Sequence, residues 1–208
     1  MNIGIVNVKG GAAKTTTAVH LAAVFQAKGK TALLDGDNSH NAEVWQARGP
    51  GFGFPVIDIR AAMKIAKDYE HFITDSGSDP TDDDLKYLAY NCDLLVVPTK
   101  PHPLETDGLK LTLQALKRLG VKHFKVLLTC CPPDTEPDTR ELTDILIDLQ
   151  VPKFKTDIPR LKAFMRAAGE GVIIKDVKDP RAERGWKAYQ SVGKECLAYA
   201  NVNANNDR

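Results

Sequence analysis

The chain has 208 residues, 43% of them hydrophobic and 26% charged, and its formal net charge is +1. This length suits one sizeable domain, and the composition is that of an ordinary globular protein. The near-zero net charge excludes a uniformly basic nucleic-acid coat, although it leaves room for a local basic patch.

The sequence shows no signal for membrane insertion or export. No apolar run reaches about 18 residues, so we expect no transmembrane helix. The first residues lack the basic segment and the long apolar core of a secretory signal. The four cysteines form no CxxC pair, and we therefore predict reduced thiols in a cytoplasmic protein.

Short apolar runs alternate with amphipathic stretches along the first 149 residues. The runs at residues 2–8, 31–34, 55–59, 71–74, 93–97 and 124–129 predict strands. The stretches at residues 14–28, 41–48, 60–67, 82–91, 104–119 and 139–149 predict helices. This alternation favours an α/β fold with a doubly wound, mostly parallel β-sheet flanked by helices. We expect one domain over residues 1–200 and a polar, frayed tail over residues 201–208.

The strongest functional signal lies between the first predicted strand and the first predicted helix. It is the run Val8-Lys9-Gly10-Gly11-Ala12-Ala13-Lys14-Thr15-Thr16. Glycines let the backbone turn so that its N–H groups face phosphate oxygens, and the helix N-terminus adds its positive dipole end. Lys14 can reach the β- and γ-phosphates of a nucleotide, and the Thr15 hydroxyl can ligate Mg²⁺. The sequence therefore predicts ATP and Mg²⁺ binding by residues 9–16.

This loop departs from the ordinary P-loop pattern GxxxxGK(S/T), because Val8 and Ala13 stand where that pattern has glycines. It instead resembles the deviant Walker A motif KGGxxK(S/T) of the ParA/MinD family of ATPases, with Ala13 replacing the commoner glycine. The resemblance implies a P-loop NTPase fold and catalytic roles for Lys9 and Lys14. It also implies that Lys9 crosses a homodimer interface to the phosphates bound by the other subunit, as an arginine finger does.

Two aspartates follow the second predicted strand, in the run Leu33-Leu34-Asp35-Gly36-Asp37-Asn38. Being two residues apart, Asp35 and Asp37 would face the same way on an extended strand, an arrangement that suits Mg²⁺ and water positioning. A turn rich in Asp and Asn is the alternative. The run resembles the family's DxDPQ motif, with Asn38-Ser39 replacing Pro-Gln. The match implies that Asp37 orients or activates the attacking water, and Asp37 is also a candidate metal ligand.

A third aspartate ends the fourth predicted strand, in the run Phe72-Ile73-Thr74-Asp75-Ser76-Gly77. An apolar strand that ends in a carboxylate is the Walker B arrangement, in which the carboxylate holds Mg²⁺ through water. The run resembles the family's IIDxPP segment. Such runs are common on their own, and it is the preceding P-loop that favours a metal role for Asp75.

The resemblance continues through the second half of the chain. Residues 93–101 resemble the family segment ADLVLIPVxPSP, and residues 156–172 loosely follow the pattern TxIxxRxxFxxAxxxGxxV. It therefore covers nearly the whole chain, and it is closest to the small ParA-type plasmid partition ATPases.

The last third of the chain is basic. Between residues 153 and 187 there are ten Lys or Arg and five Asp or Glu. Such an excess suits a phosphate-backbone footprint, although an ordinary solvated face is the alternative. In the family, the ATP-bound dimer binds DNA non-specifically through basic residues of this region. The candidates here are Arg160, Lys162, Arg166, Lys175, Lys178, Arg181 and Arg184.

Together these features favour a ParA-type ATPase for DNA (plasmid) partition or cargo positioning. The resemblance implies an ATP-driven sandwich dimer on non-specific DNA, associated with the nucleoid, and a ParB-like or other cargo adaptor that stimulates hydrolysis. A MinD-like membrane switch is an alternative, but residues 201–208 offer no apolar face for a lipid interface, so we expect no membrane partner. A metabolic relative, such as an amide-forming synthetase, is a second alternative.

Overall fold

The computed structural model of the chain describes residues 1–133 and 136–206. Its strands form a six-stranded parallel sheet with the order β3-β2-β4-β1-β5-β6. They are β1 (Asn2–Ile5), β2 (Thr31–Gly36), β3 (Val56–Asp58), β4 (His71–Ser76), β5 (Leu94–Thr99) and β6 (Phe124–Leu128). The six predicted strands and the doubly wound parallel fold are confirmed, although β1 ends at Ile5 rather than at residue 8. The central β1 lies where the winding reverses, which is where open α/β sheets bind ligands.

Helices follow the strands in alternation. They are α1 (Lys14–Gln26), α2 (Asn41–Ala47), α3 (Ala62–Ile65, after a 3-10 turn at Ile59–Ala61), α4 (Asp82–Asn91), α5 (Pro103–Arg118) and α6 (Asp138–Asp148). These six confirm the predicted helices. Two more, α7 (Lys162–Glu170) and α8 (Ala182–Asn206), follow in the basic last third, where the sequence analysis assigned no element.

Helix α8 reaches Asn206, so it extends into the segment that was expected to be a frayed tail. Residues 207 and 208 lie outside the described part of the chain. No helix within the described ranges is long and apolar enough to cross a membrane.

The sheet buries an apolar cluster on each face. Along β5, Leu94 and Val96 belong to one cluster, and Leu95 and Val97 belong to the other. Helices α1, α2, α7 and α8 cover the first cluster, and α4, α5 and α6 cover the second. Because both faces are covered, the strands are near-continuous hydrophobic runs instead of alternating ones.

Helices α1 and α8 approach each other closely at Gly193. A Cβ atom at that position would lie 2.6 Å from the Val24 Cγ1 atom, closer than real side chains come. Glycine is unfavourable in a helix interior, and this contact explains its presence here. The close approach brings the Tyr189 hydroxyl within 3.2 Å of the Thr17 hydroxyl, in the first turns of α1.

A buried histidine on α1 completes this helix contact. The His20 ring stacks on the Tyr189 ring with centroids 4.9 Å apart. Its Nδ1 atom lies 2.7 Å from the Thr16 carbonyl oxygen, and its Nε2 atom accepts the Ile174 N–H at 3.1 Å. This pattern fixes a neutral ring with its proton on Nδ1. Burial lowers the pKa of His20 to about 4, against a smaller opposing effect of the Thr16 carbonyl.

We predict that stability falls in mild acid because of His20. The folded chain keeps the ring neutral down to about pH 4, whereas the unfolded chain protonates it near pH 6.5. Stability from this group is therefore present above pH 6.5 and is lost as the pH falls towards 4, by about 2 kcal/mol at pH 4.5. Urea titrations at pH 7 and pH 4.5 measure the loss.

The matched variants are His20→Gln and, at an exposed histidine, His102→Gln. The first should flatten the pH dependence, and the second should leave it unchanged. An equal pH dependence in His20→Gln and the unmodified protein would show that other groups cause the loss.

Candidate nucleotide site

The predicted phosphate loop leaves β1 at the carboxyl edge of the sheet and ends in α1. Two of its residues have left-handed backbone conformations, Gly11 with φ of 80° and Ala13 with φ of 69°. A left-handed conformation costs alanine about 1–2 kcal/mol and costs glycine almost nothing. The structure therefore explains why glycine is the commoner residue of the motif at the place of Ala13. Ala13 is also the N-cap of α1 and has no side chain that caps it, which leaves the first N–H groups of the helix available to an anion.

A buried asparagine holds the start of the loop. The Asn7 amide donates to the Pro98 carbonyl at 2.8 Å, and its oxygen accepts the Lys9 N–H at 2.9 Å. The Thr112 hydroxyl on α5 accepts the Val8 N–H at 3.1 Å. These bonds tie the loop to β5 and α5. The sequence analysis did not single out Asn7, although a polar residue inside the apolar run of residues 2–8 was an available signal.

Lys14 folds back over its own loop, and its ammonium group donates to the Lys9 carbonyl at 3.1 Å. The side chain is largely buried. Burial lowers the pKa of Lys14, while the nearby Asp75 and Asp37 carboxylates raise it. The structure thus brings together the lysine and the two aspartates that the sequence nominated from three separate runs.

Asp75 lies at the bottom of the site and is fully buried. Neither carboxylate oxygen has a close hydrogen-bond partner among the described residues. Burial raises the pKa of Asp75 to about 7, and the Thr15 hydroxyl and Lys14 oppose this shift more weakly. A buried carboxylate with only these partial contacts is unfavourable, and a hydrated divalent cation would satisfy it. The Thr15 hydroxyl and the Asp75 carboxylate therefore fit the Mg²⁺ site that the sequence predicted.

Asp35 and Asp37 do not form the pair that the sequence suggested. Asp35 turns to α2, where one carboxylate oxygen accepts the Ala42 and Glu43 N–H groups at 3.1 and 3.3 Å. This is helix capping, which carboxylates do well at a helix N-terminus. Strand β2 ends at Gly36, so Asp37 is no longer on the strand and lines the cavity. The Ser39 N–H holds one oxygen of Asp37 at 2.9 Å.

A cavity of about 470 Å³ opens beside the loop. Its polar end is formed by the loop and α1, with Asp37 and Lys100 nearby. A mostly apolar wall comes from the segment before α7, from α7 and from α8. Ile158, Leu161, Phe164, Met165 and Tyr189 are among its lining residues, and Arg160 is its charged member. Thr129 and Cys130 of the loop after β6 also line the cavity. The cavity has room for a nucleotide with its phosphates on the P-loop and its base against the apolar wall.

The loop residues take different positions around this cavity. Gly11, Ala13, Lys14, Thr15 and Thr16 line it. Ala12 is buried, and its carbonyl accepts the Thr129 hydroxyl at 3.3 Å. Gly10 lies at the outer edge of the loop, where a Cβ atom would be 3.8 Å from the Ser78 hydroxyl.

Lys9 points along α5, outside the cavity wall that the described residues form. Its ammonium group lies 3.9 Å from a Glu105 carboxylate oxygen. Its aliphatic stem lies on Gly108, where a Cβ atom would come within 2.6 Å of the Lys9 Cβ atom. Lys9 therefore lies at the surface of its own subunit, on the side of the loop that faces α5.

The seven basic residues proposed to contact DNA are all exposed. Arg160 lines the nucleotide cavity and pairs with Glu136 at 2.9 Å. Arg160 is therefore not only a surface residue that could contact DNA. Arg166 and Arg181 both pair with Asp179, at 3.6 and 3.3 Å. Lys175 lies over the Trp186 ring. Within residues 1–133 and 136–206, no ion pair involves the other three, which are Lys162, Lys178 and Arg184.

Comparison with known proteins agrees with this geometry. The family model described as "CobQ/CobB/MinD/ParA nucleotide binding domain" matches residues 3–187. The "Maintenance of carboxysome distribution protein A" of Gloeobacter kilaueensis is 31% identical over 200 residues, which cover 93% of this chain and 92% of that protein.

Solved structures share the fold at lower identity. An ATP complex of McdA from Cyanothece superposes with a TM-score of 0.69 at 14% identity, covering 92% of this chain and 96% of that one. The septum site-determining protein MinD of Pyrococcus horikoshii, complexed with Mg-ADP, superposes with a TM-score of 0.70 at 15% identity and covers 97% of each chain. These neighbours bind nucleotide on the same fold as this chain.

The family match spans most of the chain, and the described site fits ATP and Mg²⁺. The chain therefore belongs to the CobQ/CobB/MinD/ParA nucleotide-binding domain family, and it is a P-loop ATPase that uses ATP and Mg²⁺.

Proposed function

We propose that this chain is a ParA-type ATPase that positions cargo on DNA. The ATP-bound form is a sandwich homodimer that binds DNA non-specifically and associates with the nucleoid. A ParB-like or other adaptor on the cargo stimulates hydrolysis and releases the dimer. The favoured cargo is a protein assembly, because the relative that is 31% identical is named for carboxysome distribution. A plasmid is the second candidate cargo, on the sequence resemblance to plasmid partition ATPases.

The position of Lys9 carries this proposal. The side chain of an ordinary P-loop lysine reaches its own nucleotide, as that of Lys14 can do here. Lys9 instead lies outside its own cavity, on the surface beside α5. We infer that a cation there acts on a nucleotide across an interface, which would make the nucleotide part of a dimer contact.

The remaining residues divide the chemistry. Lys14 and the N–H groups of the loop hold the phosphates, and Asp37 faces the cavity with its carboxylate oriented by Ser39. That orientation suits a group that positions or activates the attacking water. Mg²⁺ held by Thr15 and Asp75 would neutralise charge on the phosphates. Lys9 of a second subunit would add positive charge to the transferring phosphoryl group.

Lys9→Ala should keep ATP binding and lose both hydrolysis and dimerisation. The loss of a cation supplied in trans should lower turnover by roughly 10³-fold. Fluorescent-nucleotide binding, phosphate release and sedimentation velocity measure the three properties. The exposed Lys28→Ala is the matched control, and Lys14→Ala should lose nucleotide binding itself. Normal turnover in Lys9→Ala would contradict the proposed role.

Asp37→Ala should trap the ATP-bound dimer, because the phosphates still bind while water is no longer positioned. Size-exclusion chromatography with light scattering, after incubation with ATP and Mg²⁺, should show a persistent dimer and little released phosphate. The exposed Asp68→Ala controls for loss of a carboxylate. If Asp37→Ala hydrolysed ATP at the normal rate, the assignment would be wrong.

DNA binding should require ATP. Anisotropy of a labelled random-sequence duplex should rise with ATP and stay low with ADP or without nucleotide. The double variant Lys162→Glu, Lys178→Glu should bind at least about tenfold more weakly, because two phosphate contacts become repulsive. Lys28→Glu is the matched control. Equal DNA binding in all three nucleotide states would refute the proposed cycle.

A further inference from the structure

A second concave surface lies away from the nucleotide cavity. It is a groove of about 790 Å³ between α5 and α6, and it shares no lining residue with the nucleotide cavity in the described part of the chain. Its apolar lining includes Leu109 and Leu113 of α5, Phe124 of β6, Leu142 and Ile145 of α6, and the α6 C-cap Leu149. We call this surface the α5–α6 groove.

Two apolar side chains of the groove are exposed to solvent. Ile145 is 52% exposed and Leu149 is 66% exposed. With the buried Leu142 they are spaced i, i+3 and i+7, so the three form one stripe along α6 and its C-cap, exposed at Ile145 and Leu149. Beneath the stripe, Leu109 and Leu146 are almost completely buried and form a solid floor. An exposed apolar stripe over a packed floor, lined by charged side chains, is typical of a surface that another molecule covers.

The lining of the groove is basic. Lys110 and Lys117 line it from α5, and Lys122 lines it from the turn after α5, against the single acidic lining residue Asp107. Lys110 and Lys117 are seven residues apart, which places both along one side of α5. Within the described ranges, none of these three lysines is in an ion pair. A partner that fits this charge has acidic residues along the flank facing α5.

The shape favours a helix over an added strand. The outer edge of β6 already has a neighbour, because the Val126 N–H donates to the Pro152 carbonyl at 2.8 Å and the Phe154 N–H donates to the Val126 carbonyl at 2.9 Å. An extended peptide would find that edge occupied. A helix needs no backbone partner, and its i, i+3 and i+7 side chains match the stripe on α6.

We propose that the α5–α6 groove binds an amphipathic helix of a partner protein, with an apolar face and an acidic flank. The proposal gives the cargo adaptor a docking surface. It rests on the proposed function because that function includes an adaptor. The same helix α5 contacts Lys9 through Glu105 and Gly108. A helix in the groove would therefore bind to the element that supports Lys9.

The test uses labelled synthetic peptides of about 18 residues with leucines at helical i, i+3 and i+7 spacing. One peptide carries glutamates on its flank, and the other carries lysines at the same positions. The glutamate peptide should bind the full chain saturably, more tightly than the lysine peptide, and more weakly as salt is raised. Fluorescence anisotropy measures the binding of both peptides in the absence of nucleotide and DNA. The peptide result is therefore independent of whether the chain binds DNA in an ATP-dependent cycle.

Matched variants locate the binding surface. Leu149→Asp should weaken binding of the glutamate peptide about tenfold or more, whereas Ile147→Asp, at an exposed residue of α6 outside the groove, should not. The double variant Lys110→Glu, Lys117→Glu should also weaken binding, and Lys28→Glu should not. Circular dichroism checks that each variant is folded.

Three peptide-binding outcomes would overturn the proposal. They are equal binding of the two peptides, binding that Leu149→Asp leaves unchanged, and no binding of either peptide. Self-association of the chain without peptide that is abolished by Leu149→Asp would also overturn it, because the groove would then hold a second copy of the chain.

Discussion

At the carboxyl edge of the sheet, the Asp75 carboxylate is enclosed by protein with no close hydrogen-bond partner among the described residues. The charged form of such a group is unfavourable unless opposite charge lies nearby. The Thr15 hydroxyl offsets part of this penalty, and the Lys14 charge from α1 adds a smaller effect. These interactions link the end of β4 to the start of α1, at the site that fits Mg²⁺. The residues that support the phosphate loop, such as Asn7, preserve this arrangement.

Contacts between α1 and α8 join the phosphate end and the apolar wall of the nucleotide cavity. Tyr189 of α8 lines the apolar end, and its hydroxyl lies beside Thr17 of α1, one turn beyond the phosphate loop. His20 fills the space between the helices and bonds to the backbone next to α7. The apolar wall of the cavity and the phosphate loop therefore belong to one packed unit. A change in either end must be accommodated by the other, because packed interiors have little free space.

Much of this organisation could be predicted from the chain alone. The strands were evident because both of their faces are buried. Lys14 was evident from the phosphate-loop motif, Asp37 because it directly follows β2, and Asp75 because it lies near the end of β4. The roles of Asp35 and Asp37 were less evident, since the end of β2 at Gly36 decides which one caps α2. Helix α8 escaped detection because Gly185 and Gly193 interrupt its helical pattern, and helix α7, with nine residues, gives only a short pattern. Those glycines are explained by tertiary contacts with Ile174 and Val24, which no local pattern encodes.

The glycine at position 108 sets how Lys9 rests on α5. Its missing side chain leaves a shallow space on the helix surface, and the Lys9 stem fills that space. One methyl group would be enough to occupy it. Changes at position 108 during evolution could therefore alter the orientation of a lysine that is distant in sequence, without touching the phosphate loop itself. The position of the Lys9 side chain therefore depends on a residue of α5 that lies 99 residues further along the chain.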